Sequence, residues 1–118
     1  STAMSWTQPT PAQAWILLVL AGLLEIGWAV GMKYTDGFSR AGPSAIVLTA
    51  AMLSFWLLAL AMKALPVGTA YAVWVGIGAA GAAVLGMALF REPATLARMI
   101  CLLLIVAGVV GLKVVSEH

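Results

Sequence analysis

The sequence predicts an all-α membrane protein with four transmembrane helices per chain, on three observations. Of its 118 residues, 64% are hydrophobic and only 8% charged, and the mean hydropathy is +1.09. A soluble domain with polar loops does not reach such values. The apolar residues also fall into four runs of about 20, the length that crosses a bilayer as a helix, separated by short polar breaks rich in Gly, Pro and charge. Lastly, one acid, Glu25, stands alone near the middle of the first run.

The runs place the helices at about 14–33, 43–62, 66–90 and 95–115, forming one domain over 14–115 between an entry segment, 1–13, and a short tail, 116–118. Ser1-Thr2-Ala3 ahead of Met4 reads as a cloning remnant, and Pro9 and Pro11 keep the entry segment outside the membrane. The first run is not expected to be a cleaved signal peptide, because no Lys or Arg precedes Lys33 and an acid interrupts it. Asp36-Gly37 marks the first turn, and Gly42-Pro43 opens the second helix. Beyond Ser44 at its start, that helix carries Thr49 and Ser54 as its polar side chains, and a hydroxyl in such a setting is expected to bond back to its own backbone.

Lys63-Ala-Leu-Pro-Val-Gly68 is the second turn. The third helix follows with Gly76, Gly78, Gly81 and Gly86, small residues that let membrane helices approach closely and leave the helix easy to bend. Tyr71 and Trp74, three apart, share a face with Gly78. They lie inside the span, away from the aromatic belt at its ends, and so are expected to line something polar. After Arg91-Glu-Pro-Ala-Thr95, the fourth helix has Arg98 and Lys113 snorkelling at its ends. Its Ala107, Gly108 and Gly111 suit a close helix crossing, for which a dimer seam is one use.

These features exclude several function classes. The six basic residues, Lys33, Arg40, Lys63, Arg91, Arg98 and Lys113, are scattered, with no basic patch for nucleic acid. Cys101 is the single cysteine and reads as a small buried hydrophobe, and His118 reads as terminal and inert, so no metal site is expected. No catalytic trio, phosphate loop or dinucleotide fingerprint can be assembled. The chain is read as no enzyme and as needing no cofactor. Loops 1 and 3 carry four basic residues against two on the opposite side, a margin thin enough to allow insertion in both orientations.

Glu25 is the feature that needs a function. An ionised acid at the centre of a membrane helix costs about 2.5 to 3.5 kcal/mol on insertion scales, so it marks a partner, a pathway or a proton site. Gly22 and Trp28, at i−3 and i+3, give its face clearance and an aromatic wall. Four thin helices cannot enclose a solute pathway, which implies a second copy and therefore a pair of Glu25 carboxylates. Such a pair holds either protons or a cation but not both fully, which is sufficient for antiport if the site faces one side at a time. Trp28, Tyr71 and Trp74 suit a flat or diffuse cation through cation–π attraction of roughly 0.5 to 2 kcal/mol each.

Two motifs, Glu25-Ile-Gly-Trp28-Ala-Val-Gly-Met-Lys33-Tyr-Thr-Asp-Gly-Phe38 and Leu65-Pro-Val-Gly-Thr-Ala-Tyr71-Ala-Val-Trp74-Val-Gly-Ile-Gly78, resemble the small multidrug resistance family over essentially residues 14–115. The resemblance implies an antiparallel, dual-topology homodimer in the bacterial inner membrane. It implies Glu25 as the shared proton and cation site, Tyr71 and Trp74 as pocket walls, and the fourth helix as the dimer contact. Trp28, together with Ser54 in Leu53-Ser-Phe-Trp-Leu57, is similar to the guanidinium-exporter branch, which implies a proton-coupled exporter of guanidinium and leaves substituted guanidines open as substrates. The multidrug branch, exporting quaternary ammonium cations, is the alternative. Beyond transport of this kind stand a dual-topology ion channel and an assembly subunit whose acid pairs with a partner's base.

Overall fold

The computed structural model describes residues 7–116, so residues 1–6, with the remnant at 1–3 and Met4, and residues 117–118, with His118, lie outside the described residues. Four helices follow one another: α1 (Pro11–Gly31), α2 (Ala41–Ala61), α3 (Val67–Leu89) and α4 (Leu96–Ser116), with a 3₁₀ turn at Met32–Thr35 after α1. Each is long and apolar enough to cross a membrane, and no strand occurs among the described residues.

The boundaries differ from the expected ones at both ends of the domain. Pro11 is helical, because Thr10 caps the helix: its hydroxyl accepts from the Gln13 N–H while the Gln13 side chain accepts from the Thr10 N–H. The entry segment therefore gives up residues 11–13 to α1. At the other end α4 continues to Ser116, one residue into the expected tail.

The first turn is tighter than a generic loop. Asp36, Gly37 and Phe38 all have positive φ, and the Thr35 hydroxyl, fully buried, donates to Met32 O and accepts from Phe38 N. This reverses the chain within a few residues and sets α2 alongside α1. Pro66, which cannot donate within a helix, serves as the N-cap residue of α3, and Phe90 ends it.

Both α2 and α3 pack along α1, touch each other over a short stretch, and α4 lies against α3. Interlocking of α1 with α3 runs in both directions. A Cβ on Gly22 of α1 would come within 2.7 Å of the Ile77 side chain, while Cβ atoms on Gly78 and Gly81 of α3 would overlap Glu25 and Ile26. Each glycine is a hole for the neighbour's side chain, which is how packing alone holds helices together where lipid offers no hydrophobic drive. The helix α3 runs unbroken through these glycines.

The core is thin: Ala14, Leu17, Leu18, Ala21, Leu58, Leu60, Ala61, Leu65, Ala70, Val73 and Trp74 form it among the described residues. Overall the chain is a slab 47 × 37 × 18 Å. Its outward faces are apolar, with Ile46, Met52, Leu96 and Leu103 each about two-thirds exposed or more (72, 71, 76 and 67%). No described residue of α4 is buried, and Cys101, expected to be buried, is exposed there. The reason is positional: α4 sits at the end of the helix row, with one side against α3 and the rest facing outward.

Candidate functional site

Glu25 sits on α1, two residues past Leu23, the central residue of the apolar span Pro11–Thr35. The absence of a Cβ on Gly78 lets α3 come up against its carboxylate. Within the protomer its Oε1 is buried and has no hydrogen-bond partner, and the same is true of the Trp28 indole Nε1, one turn further along α1. A buried unmade hydrogen bond costs about 1 to 3 kcal/mol, so two on one helix face mark a place built to be filled.

Ser54 departs from the expected back-bond. Thr49, on the same helix, does bond to its own backbone, donating to Ala45 O at 2.8 Å. Fully buried, Ser54 instead donates across to Ala21 O of α1 at 2.7 Å and accepts from Trp74 Nε1 of α3 at 3.0 Å. One hydroxyl thus ties three helices, and a serine oxygen bonded in this way keeps one lone pair for a further donor. No hydrogen bond joins Ser54 to Glu25 among the described residues.

Four rings contact one another beside this hydroxyl, with Trp74, its hydrogen-bond donor, touching the other three. Trp74 lies 6.5 Å from Trp28 and 5.7 Å from Tyr71, centroid to centroid, all in tilted arrangements. Phe55 forms a triangle with Trp28 and Trp74, its centroid 6.0 and 5.5 Å from theirs. Sequence reasoning named Trp28, Tyr71 and Trp74 and missed Phe55. Its adjacency to Ser54 was the available signal, but neighbouring helix residues point about 100° apart, so a Ser54 turned into the helix interface does not by itself place Phe55 in the wall.

The glycines divide between roles. Gly78 faces Glu25, Gly22 receives Ile77, and Gly76 receives Val109 of α4, so clearance at Gly22 and Gly76 serves helix packing. Gly108 and Gly111 on α4 have nothing within 4 Å of a built Cβ, and both are exposed with Ala107. A groove of about 650 Å³ between α3 and α4 has Tyr71, Gly76 and Gly108 on its lining, away from Glu25. Its walls are apolar, so it suits packing more than the binding of a small cation.

Residues 13–105 match the family described as Small Multidrug Resistance protein. The chain belongs to that family. Among its curated relatives is a guanidinium exporter of Escherichia coli K12, 61% identical over 105 residues, covering 89% of this chain and 99% of the relative. Guanidinium exporters of Salmonella typhimurium (60% over 105 residues, 89% and 99%) and Yersinia pseudotuberculosis (61% over 103 residues, 87% and 99%) are similar to the same extent. For this small multidrug resistance protein, the four spanning helices and the transporter relatives make it a multi-pass membrane protein.

The chemistry available at the site is limited and specific. A carboxylate accepts hydrogen bonds or a proton, an indole N–H only donates, and a serine oxygen can still accept. Trp28 therefore has no bond to offer a donor-rich cation, and its N–H fits a carboxylate. The rings supply faces with negative quadrupole potential.

Proposed function

We propose that the protein is an antiporter that exports guanidinium in exchange for protons, working as an antiparallel, dual-topology homodimer in the bacterial inner membrane. The observation that carries this reading is the pair of buried, unpartnered atoms on α1, Glu25 Oε1 and Trp28 Nε1, beside the Ser54–Trp74 hydrogen bond. Guanidinium is planar and donates in a fixed fork that matches a carboxylate, with further N–H groups for the Ser54 oxygen. The names of the relatives support this choice of cation.

A second copy is supported by the 18 Å thickness of the slab, too thin to enclose a path, and by the open face of α4 at Ala107, Gly108 and Gly111. In the dimer the paired Glu25 carboxylates hold the cation or protons. Protonation removes the negative charge that holds guanidinium, and guanidinium in turn displaces the protons. If the loaded site alternates between the two sides of the membrane, each exchange moves protons one way and the cation the other.

The test is guanidinium uptake into proteoliposomes with and without a pH gradient, for wild type and Glu25→Gln. Gradient-driven accumulation lost in Glu25→Gln supports the proposal. A passive conductance that survives the substitution points to a channel and overturns it. The four-ring wall of Trp28, Phe55, Tyr71 and Trp74 favours one second reading, export of quaternary ammonium cations, which donate no hydrogen bonds. Uptake of tetra-alkylammonium in place of guanidinium would decide for it.

A further inference from the structure

At the end of the helices where the first and third loops meet, cations gather around two rings. Lys33 places its Nζ 5.1 Å from the centroid of Phe90, and Tyr34 packs against the same ring at 5.6 Å. Arg40 reaches the Tyr34 carbonyl with a guanidinium N–H at 3.3 Å, and Arg91 follows Phe90 directly in the chain, at φ +55°. All three cations are exposed.

Carboxylates here do not neutralise them. Glu92 pairs with Arg98 at 3.4 Å, and Asp36, in the first loop, makes no ion pair among the described residues. Lys33, Arg40 and Arg91 therefore have no ion-pair partner among the described residues. Arg40 also stands at the start of α2, whose first turn has no side-chain cap. The Ala41 and Gly42 N–H groups there donate to no acceptor among the described residues. The opposite end is different: Lys63 donates to Thr7 O at 2.8 Å, and Lys113 lies over the Trp15 ring at 5.2 Å.

The geometry points to a binding site for the phosphate headgroup of an anionic phospholipid at this end of each protomer, held by Lys33, Arg40 and Arg91 around the Tyr34–Phe90 ring pair. Position selects a lipid as the source of the phosphate. The site lies where α1 and α3 leave the apolar span, at headgroup depth, and amphipathic rings such as Tyr prefer that level. A basic side chain next to an anionic leaflet strengthens attachment by about fivefold, so three acting together are worth about a hundredfold. The uncapped α2 turn adds N–H donors of the kind that hold phosphate oxygens.

The experiment titrates purified full-length protein with phosphatidylglycerol, phosphatidylcholine or inorganic phosphate and counts bound lipid by native mass spectrometry. Wild type is expected to retain phosphatidylglycerol well above phosphatidylcholine, and free phosphate is not expected to displace it. The triple variant Lys33→Gln, Arg40→Gln, Arg91→Gln is expected to lose about a hundredfold in retention, whereas Lys63→Gln with Lys113→Gln keeps it. Charge-preserving Lys33→Arg, Arg40→Lys, Arg91→Lys keeps most of the binding and controls for folding. Equal retention of the two lipids, displacement by inorganic phosphate, or equal loss in the opposite-end variant would each overturn the site.

Discussion

Glu25 and Gly78 occupy each other's space: the carboxylate on α1 rests where a Cβ on α3 would be. The room for the acid's side chain is thus set by a missing atom on another helix. Gly78→Ala is expected to push the carboxylate aside and reduce guanidinium uptake by at least about tenfold, because displacements of this size near a reacting or binding group are costly. Uptake in proteoliposomes, with thermal unfolding in detergent as a check on folding, measures it.

Replacing Ser54 by Ala leaves the Trp74 N–H buried without its acceptor and frees α2 from its tie to Ala21. The expected cost is about 1 to 3 kcal/mol for the stranded donor. Guanidinium flux should fall by about tenfold or more, and tetramethylammonium flux by less, since that cation needs no acceptor. Parallel flux assays on the two cations give the ratio.

Trp28→Phe keeps a ring beside Phe55 and Trp74 but deletes the unpartnered N–H. With the N–H acting on a carboxylate, guanidinium affinity should drop about ten- to a hundredfold, the worth of one hydrogen bond to a charged group, about 1.5 to 3 kcal/mol. Isothermal titration of guanidinium binding reads the change, and an unchanged affinity would show that only the ring matters.

In the proposed antiport, competition for Glu25 fixes the sign of the pH dependence. If protons and guanidinium exclude each other at a Glu25 pair, guanidinium binding should weaken as pH falls through the range where the pair takes up protons, by about tenfold per pH unit for each proton displaced. Above that range binding should level off. A titration of apparent Kd against pH shows the slope, and Glu25→Gln should show no slope because it binds neither competitor well.

The fourth helix supplies a test of assembly separate from one of folding. Gly111 has open space around it within the protomer, so Gly111→Leu should leave protomer packing intact. If α4 forms the dimer seam, the variant should run as a monomer by light scattering and lose transport, with helical content unchanged by circular dichroism.

Helix number, the lipid-crossing lengths and the isolation of Glu25 were legible residue by residue, because each follows from local hydropathy and from the cost of a charge in lipid. Local rules also put Tyr71 and Trp74 on one face. What needed the folded chain was every relation between helices. The sequence has nothing to say that Ser54 turns away from its own backbone towards Ala21 and Trp74 while Thr49 does not. That depends on which face of α2 meets α1, which both uniformly apolar helices leave undetermined. The same holds for Phe55 in the ring wall, and for the division of glycines between Glu25, Ile77 and Val109. In a chain so evenly hydrophobic, periodicity cannot mark the inner faces, and it is shape, a side chain entering the gap left by a glycine, that sets where the acid stands.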